Sequence, residues 1–219
     1  RAGTCLRTIV GKNIPVGLNW TSGTSGPGKP GTFSALPLGF QPDPAAVSGS
    51  TLFDTAVGRC GIAWGAQGVL AVQLPETNDA GTRRRLLRGL VSVPPVQTRQ
   101  ALPEFVQGAI EGVVALLRGE PRDLREIVLD MQRIPPFHQR VYEVARTIDP
   151  GQTMTYGEIA HALSLPGASR AVGQALGSNP FVIVVPCHRV LAARGQAGGF
   201  SAPGGTRTKL RLLTIEGVF

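Results

Sequence analysis

Cys187 and His188 are adjacent in the segment Val-Val-Pro-Cys-His-Arg-Val, near the carboxyl-terminal end of the sequence. A thiolate is the strongest nucleophile that a side chain offers, and a nearby imidazole can accept the thiol proton. Neighbours in an extended chain point to opposite faces, so the two can cooperate only if the backbone turns sharply or a water bridges them. Pro186 favours a turn because its ring fixes φ. The alternative is a buried structural cysteine, since free cysteine is among the most buried residue types.

Three other polar residues have ordinary explanations on residue type alone. Glu216 beside a terminal glycine fits a solvated helix residue, and Asn179 before Pro180 fits the residue preference of turns. Tyr156 fits a core residue whose hydroxyl reaches the surface. Their chemical roles therefore depend on more than residue type.

The elements that must position these residues begin at Thr51. The runs TLFDTAV, GIAW and GVLAVQL are β-rich and are separated by Gly58 and Gly68, which predicts a three-stranded antiparallel meander. Apolar residues recur about once per helical turn over Gln100–Leu117, which predicts an amphipathic helix. Residues 51–130 are therefore predicted to form a small α+β domain.

A second domain is predicted over residues 131–219, with short helices separated by Pro and Gly. Thr155 and Glu158 have the spacing of a capping box at a helix start. Short helices joined by tight turns resemble a helix-turn-helix. The predicted elements are helices over Phe137–Ile148, after Thr155 and over Arg170–Leu176, a buried strand over Phe181–Val185 and a closing helix over Lys209–Glu216.

Composition excludes several classes of protein. The chain of 219 residues is 42% hydrophobic and 16% charged, as expected for a mostly globular protein, and no apolar run approaches the length of a membrane span. Residues 1–50 contain 9 Gly and 6 Pro and are predicted to be a flexible arm or linker. Three cysteines are too few for a disulfide scaffold and favour a reducing compartment.

Positive charge is concentrated towards the carboxyl-terminal end. The formal net charge is +8, and residues 133–219 carry 9 basic and 4 acidic side chains. Such an excess fits a surface that contacts phosphates, although a basic solvated face is the simpler explanation of charge alone.

Ordered motifs over about residues 52–219 resemble the 6-O-alkylguanine-DNA alkyltransferase family. No single motif is specific, but together they occur in the family's order and at its spacing. The matching segments are FDTAVGRCGIAW, TYGEIA with Tyr156, SRAVGQAL with Arg170, Ser178-Asn179-Pro180, Pro186-Cys187-His188-Arg189-Val190, Gly198-Gly199-Phe200-Ser201, and Lys209 with Leu212-Leu213 and Glu216-Gly217.

The resemblance implies an α+β fold in which a small ribonuclease-H-like domain precedes a catalytic domain of helix-turn-helix or winged-helix type. It implies a DNA repair protein that flips out 6-O-alkylguanine, and also 4-O-alkylthymine, and transfers the alkyl group irreversibly to Cys187 in one turnover. No cofactor and no metal are expected. Some family members bind a structural zinc, but Cys5 and Cys60 lack partners at metal-ligand spacing.

The resemblance also implies catalytic roles. Cys187 would attack the alkyl carbon, and His188 would act as a base through water while Glu216 polarises it. Asn179 would brace this network. Tyr156 would donate its hydroxyl proton towards the leaving guanine.

The implied partner is double-stranded DNA, bound through the minor groove by a monomer. Ser169, Arg170, Ala171 and Gly173 of the recognition helix, together with Tyr156, would contact DNA. Small side chains let this helix approach a narrow groove, and Arg170 would fill the space that the flipped base leaves.

Gly199, Phe200 and Ser201 would form one wall of the substrate pocket, with Pro186 as a partner. The carbonyls of Cys187 and Val190 would accept hydrogen bonds from the guanine amine. The loop from Phe200 to Gly205 is about two residues longer than is usual in the family and has Phe in place of Tyr.

Two other functions stay open at the level of sequence. One is a module that binds alkylated DNA and flags the damage without repairing it, although relatives of that kind lack the cysteine. The other is a thiol hydrolase, which would need an oxyanion hole and would have no use for a helix-turn-helix. A bacterial cytoplasmic location is expected, or a nuclear one in a eukaryote, and no membrane association.

Overall fold

The computed structural model describes residues 46–90 and 102–219. Cys5 and most of the predicted arm lie outside these ranges. The last residues of that arm already belong to the folded unit, because Val47 is buried and the amide of Ser48 donates to the carbonyl of Trp64 at 2.8 Å. The first strand accordingly starts at Gly49, two residues before the predicted domain boundary.

The predicted meander is present as a three-stranded antiparallel sheet in the order β1-β2-β3. Its strands are β1 (Gly49–Thr55), β2 (Gly58–Gly65) and β3 (Gly68–Gln73). The second turn requires glycine, because Gly68 has φ +141° and a Cβ there would lie 2.6 Å from the carbonyl oxygen of Val128.

Two helices accompany the sheet. Helix α1 (Asp79–Leu86) begins at Asn78, whose side chain accepts a hydrogen bond from the amide of Gly81. Helix α2 (Glu104–Leu117) is the predicted amphipathic helix and buries one face through residues such as Val106 and Val113.

The carboxyl-terminal half contains the predicted short helices. They are α3 (Pro136–Arg146), α4 (Tyr156–Ala162) and α5 (Ser169–Gly177), and strand β4 (Met154–Thr155) directly precedes α4. The capping box of Thr155 and Glu158 is formed. The buried hydroxyl of Tyr142 on α3 donates to the carbonyl of Ala175 on α5 at 2.9 Å, which ties these two helices together.

The predicted strand over Phe181–Val185 is wrong. The segment is buried, but it makes only isolated bridges, Val72 with Phe181 and Val182 with Val185, and Ile183 has φ +78°. An apolar run alone cannot distinguish a strand from a buried turn. The turn is held by β3, because Val72 donates its amide to Pro180 and accepts from the amide of Val182.

The chain then forms the short elements that contain the candidate residues. A 3₁₀ helix covers Cys187–Arg189, and β5 (Val190–Leu191) pairs in parallel with β4. A second 3₁₀ turn covers Ala193–Gly195, and helix α6 (Thr206–Ile215) closes the fold.

One hydrophobic core joins the two halves. It includes Ile62 from the sheet, Leu116 from α2, Tyr142 from α3 and Leu212 from α6, and Cys187 lies at its edge. The structure is therefore a mixed α/β fold with small sheets. No helix in the described parts of the chain is long and apolar enough to cross a membrane.

Candidate active site

The backbone turns sharply at Pro186, which is the first of the two arrangements that would let Cys187 and His188 cooperate. Pro186 has φ −79° and ψ 64°, and the amide of Cys187 donates to the carbonyl of Val185 at 2.8 Å. The following 3₁₀ helix is closed by the amide of Arg189, which donates to Pro186 at 2.9 Å. The thiol and the imidazole therefore leave a tight turn rather than opposite faces of a strand.

Asn179 braces the turn that carries the thiol. Its Nδ2 donates to the carbonyl of Val185 at 2.9 Å and lies 3.5 Å from Sγ of Cys187, and its Oδ1 accepts from the amide of Phe181 at 2.9 Å. Burial raises the pKa of Cys187, while the amide of Asn179 and the positive charge of Lys209 offset part of that rise.

His188 is paired with a carboxylate at the end of helix α6. Its Nε2 lies 2.9 Å from Oε1 of Glu216, and both side chains are almost fully buried. Burial lowers the pKa of His188 and outweighs the opposing effect of Glu216. Burial alone would raise the pKa of Glu216, but hydrogen bonds from His188 and Arg189 lower it to about 2. The pair therefore consists of a neutral imidazole and an ionised carboxylate.

This charge state defines which nitrogen of His188 can accept a proton. An ionised carboxylate only accepts, so Nε2 of the neutral ring carries the hydrogen and Nδ1 keeps its lone pair. Nδ1 is buried and has no hydrogen-bond partner among the described residues. A neutral imidazole nitrogen with a free lone pair is able to accept a proton.

Arg189 completes the network and was missed as a functional residue in the sequence. Its Nε and Nη2 each lie 2.8 Å from an oxygen of Glu216, and Nη1 donates to the carbonyl of Ile148 at 2.5 Å. A bidentate guanidinium fixes both the charge and the orientation of the carboxylate. The only signal in the sequence is its position directly after the Cys-His pair.

Lys209 belongs to the terminal motif that resembles the family, but the sequence did not assign it a role at the site. It is fully buried, its Nζ donates to the carbonyl of Val190 at 2.5 Å and lies 5.8 Å from the ring centroid of Tyr156. Burial lowers its pKa to about 8. The sequence did contain a signal for this burial, because Lys209 lies on the same helical face as the apolar pair Leu212-Leu213.

Cys187 opens onto a cavity of about 650 Å³, although only 7% of the residue is exposed. The walls come from the start of α4, from α5 and from the loop before α6. The lining residues are Tyr156, Ser169, Arg170, Gly173, Gln174, Leu176, Gly177, Cys187, Ala192, Gly198, Gly199, Phe200 and Ser201. This volume is in the range of small-molecule sites.

Tyr156 lies in the wall of this cavity and contacts the loop before α6. Its hydroxyl is 3.5 Å from the carbonyl of Gly199, and a Cβ at Gly198 would lie 3.3 Å from the ring. Burial, together with the nearby Cys187, raises the pKa of Tyr156, so the hydroxyl keeps its proton.

Several predicted residues lie elsewhere. Pro186 does not line the cavity and borders a separate small crevice with Asp123 and Arg146. Val190 is fully buried, and its carbonyl accepts from Lys209. Ala171, which was predicted to contact DNA, is half-buried on α5. His188, Glu216 and Asn179 lie behind the thiol, whereas Gln174 and Ala192 line the cavity and were not predicted.

The described residues contain no group of three or more His, Cys, Asp or Glu side chains that could hold a metal ion. Cys60 is buried in the sheet near the hydroxyl of Thr55, and burial raises its pKa to about 11. It is therefore a packing residue.

The chain is similar in sequence to members of one known protein family. A family model described as 6-O-methylguanine DNA methyltransferase, DNA binding domain, matches residues 136–218. A methylated-DNA–protein-cysteine methyltransferase of Mycolicibacterium paratuberculosis is 45% identical over 114 residues, which are 52% of this chain and 67% of the relative. One from Methanothermobacter thermautotrophicus is 33% identical over 158 residues, which are 72% of this chain and 79% of the relative.

Solved structures are similar over most of the chain. The structure of Mycobacterium tuberculosis OGT in complex with DNA has a TM-score of 0.59 and 32% identity, and the match covers 76% of this chain and 91% of that one. The O6-methylguanine-DNA methyltransferase of Pyrococcus kodakaraensis has a TM-score of 0.55 and 28% identity, and the match covers 78% and 99%.

Proposed function

This chain belongs to the methylated-DNA–protein-cysteine methyltransferase family, and we propose that it repairs alkylated DNA by moving the alkyl group of 6-O-alkylguanine onto Cys187. The observation that carries the proposal is the placement of the Cys187 thiol at a cavity of about 650 Å³, with the pair of His188 and Glu216 behind it. A nucleophile, a base and a group that orients the base form the arrangement of covalent catalysis.

In the proposed reaction, sulfur attacks the alkyl carbon while the bond between that carbon and the guanine oxygen breaks. The thiol proton passes to Nδ1 of His188, directly or through a water, and Glu216 stabilises the imidazolium that forms. The electron pair of the broken bond moves to the guanine. Tyr156 donates its hydroxyl proton to the leaving guanine, and the ammonium of Lys209 stabilises the negative charge that remains on the Tyr156 oxygen.

The products are guanine and an S-alkylcysteine. A thioether has no good leaving group, so the carbon–sulfur bond is stable once it has formed. We therefore propose a single turnover, in which the protein is consumed stoichiometrically with the lesion. By the same chemistry, 4-O-alkylthymine is a second substrate.

Access to the lesion requires the nucleotide to leave the base stack, at a cost of a few kcal/mol. We propose that α4 and α5 act as a helix-turn-helix in the minor groove. Support comes from Arg170, which is exposed at the start of α5 beside the cavity, and from Gly173 and Gly177, which keep the cavity side of that helix narrow. Arg170 would fill the space of the flipped base.

The finer assignments of fold and assembly are also proposals. The region from β1 to α2 would be a ribonuclease-H-like domain of residues 51–130, and the remainder a winged-helix-like catalytic domain of residues 131–219. We expect the protein to act as a monomer.

The deciding experiment combines the protein with a DNA duplex that holds one 6-O-methylguanine, followed by digestion and mass spectrometry of the Cys187 peptide. A gain of one methylene on that peptide, absent from the Cys187→Ser variant and never exceeding one equivalent, supports the proposal. Binding of the duplex without a mass gain would indicate a damage-flagging module. Release of many product molecules per protein would indicate a hydrolase.

A further inference from the structure

The loop that forms one wall of the cavity has glycine hinges at both ends. It runs from Gly198 to Gly205, and Phe200 and Ser201 contribute to the cavity lining. Gly198 has φ +66°, and Gly204 and Gly205 have φ +80° and +54°. Glycine adopts this region at little cost, so the backbone at these ends does not itself hold the wall in place. The position of the wall therefore depends on the contacts between the hinges.

Contacts within the carboxyl-terminal half hold both ends of the loop. At its start, the hydroxyl of Thr206 donates to the carbonyl of Gly198 at 3.3 Å, and that of Tyr156 lies 3.5 Å from the carbonyl of Gly199. Ala202 is 7% exposed and packs in the core, and its carbonyl accepts from the amide of Gly205 at 3.0 Å. The carbonyl of Pro203 accepts from the hydroxyl of Thr208 at 2.5 Å. Neither Ala202 nor Pro203 lines the cavity. The segment of Ala202 and Pro203 in this extended loop therefore folds towards the core and does not cover the thiol of Cys187.

Ser201, at the middle of the loop, is instead held from the other half of the fold, by Arg85 in the last turn of α1. Its Nη2 donates to the carbonyl of Ser201, and its Nη1 lies 3.0 Å from Oε1 of Glu76. The side chains of Arg85 and Glu76 are 32% and 21% exposed, so both are mostly shielded from water. A guanidinium that is held by a carboxylate is a rigid donor, and a charge-assisted hydrogen bond is stronger than a neutral one.

We propose that Arg85 is a positioning residue that fixes the wall of Phe200 and Ser201 and so determines how well the site aligns bulky alkyl groups with Cys187. The inference rests on the proposed alkyl transfer. In-line attack requires the alkyl carbon to be held close to sulfur, and a misplacement of about 1 Å costs up to a hundredfold in rate. A benzyl group extends to the wall, whereas a methyl group is positioned mainly by the guanine that carries it.

The test measures single-turnover rate constants of the intact protein with free 6-O-benzylguanine and with duplex 6-O-methylguanine. Arg85→Ala should slow the benzyl reaction roughly tenfold and the methyl reaction less, since only the larger group depends on the wall. Arg85→Lys should recover part of the rate, because an ammonium can donate to Ser201 but cannot also form the fork with Glu76. Glu76→Gln should slow the benzyl reaction to a smaller extent.

Two controls separate positioning from a general loss of structure. Arg84→Ala removes an exposed arginine from the same turn of α1 and should leave both rates unchanged. Alkylation of Cys187 by iodoacetamide, which is too small to need the wall, should proceed at the wild-type rate in Arg85→Ala.

The proposal is overturned if Arg85→Ala transfers benzyl at the wild-type rate. It is equally overturned if the benzyl, methyl and iodoacetamide reactions all slow by the same factor, since that pattern indicates a structural role. Wild-type protein that accepts no alkyl group from either substrate would instead refute the proposed function itself, so the two failures are distinguishable.

Discussion

Nε2 of His188 lies 2.9 Å from Oε1 of Glu216, although 28 residues separate the two along the chain. Helix α6 carries Glu216 at its C-cap, and the 3₁₀ helix after Pro186 carries His188. Arg189, from the same turn as His188, holds the other side of the carboxylate. His188, the candidate base behind the thiol, is thus oriented by Glu216, and Arg189 holds that carboxylate in place.

Removal of the carboxylate charge should affect both rate and stability. Glu216→Gln leaves Arg189 buried without its counter-ion, and breaking a buried pair in this way costs about 3–5 kcal/mol of unfolding free energy. His188 also loses the group that stabilises its protonated form, so we expect alkyl transfer to slow by about a hundredfold. Urea unfolding and single-turnover kinetics check the two effects. Glu143→Gln, on the exposed face of α3, is the matched control and should change neither.

Acid should reduce the stability that Glu216 provides. Its folded pKa of about 2 lies below the ordinary value of 4.5, so the carboxylate contributes stability above about pH 4.5 and loses that contribution as the pH falls towards 2. We expect the difference in unfolding free energy between wild type and Glu216→Gln to shrink by about 2–3 kcal/mol across this window. A constant difference from pH 5 to pH 2 would contradict the prediction.

Lys209 should give a dependence of the same sign at alkaline pH. Its folded pKa of about 8 lies below the ordinary 10.5, so between these values the unfolded chain binds a proton that the folded protein does not. Stability of the wild type should therefore rise, relative to Lys209→Met, as the pH increases from 8 to 10. Thermal unfolding of both proteins over this range is the measurement, and parallel curves would refute it.

The charge of Lys209 should also be needed for transfer. It lies beside Tyr156 and lowers the pKa of Cys187, so Lys209→Met should slow the reaction by about tenfold to a hundredfold. The wild-type rate should decline above about pH 8 as the ammonium loses its proton. A rate that keeps rising through pH 9 would show that thiolate formation alone controls the reaction.

Arg170 should be needed for repair of duplex DNA but not for alkyl transfer from a free base. It is exposed at the start of α5 and lines the cavity. Arg170→Ala should slow repair of 6-O-methylguanine in duplex DNA roughly tenfold, because the flipped state loses a group that fills the stack, and should spare the reaction with free 6-O-benzylguanine. Arg118→Ala, an exposed arginine at the end of α2, is the charge-matched control. Equal losses with both substrates would assign Arg170 a structural role.

Local patterns were sufficient to predict most of the secondary structure. The alternation and glycine punctuation of residues 51–73 predicted the meander, and the spacing of Thr155 and Glu158 predicted a helix start that the structure shows. These features depend on residues that are close along the chain, and local backbone preference therefore decides them. The strand predicted over Phe181–Val185 was wrong because burial by β3, and not strand pairing, accounts for its apolar residues.

The sequence by itself determined the family and predicted the nucleophile and the candidate base, because their residue types stand in contiguous motifs. Only the tertiary structure decided which distant side chains surround them. The buried charge of Lys209, the fork of Arg189 on Glu216 and the bond from Arg85 to Ser201 each join residues that are far apart in the chain. It also excluded Pro186 and Val190 from the cavity, since the turn at Pro186 directs only Cys187 towards it. Such contacts follow from how the elements pack, and packing depends on pairwise fit across the whole core, which a linear pattern does not contain.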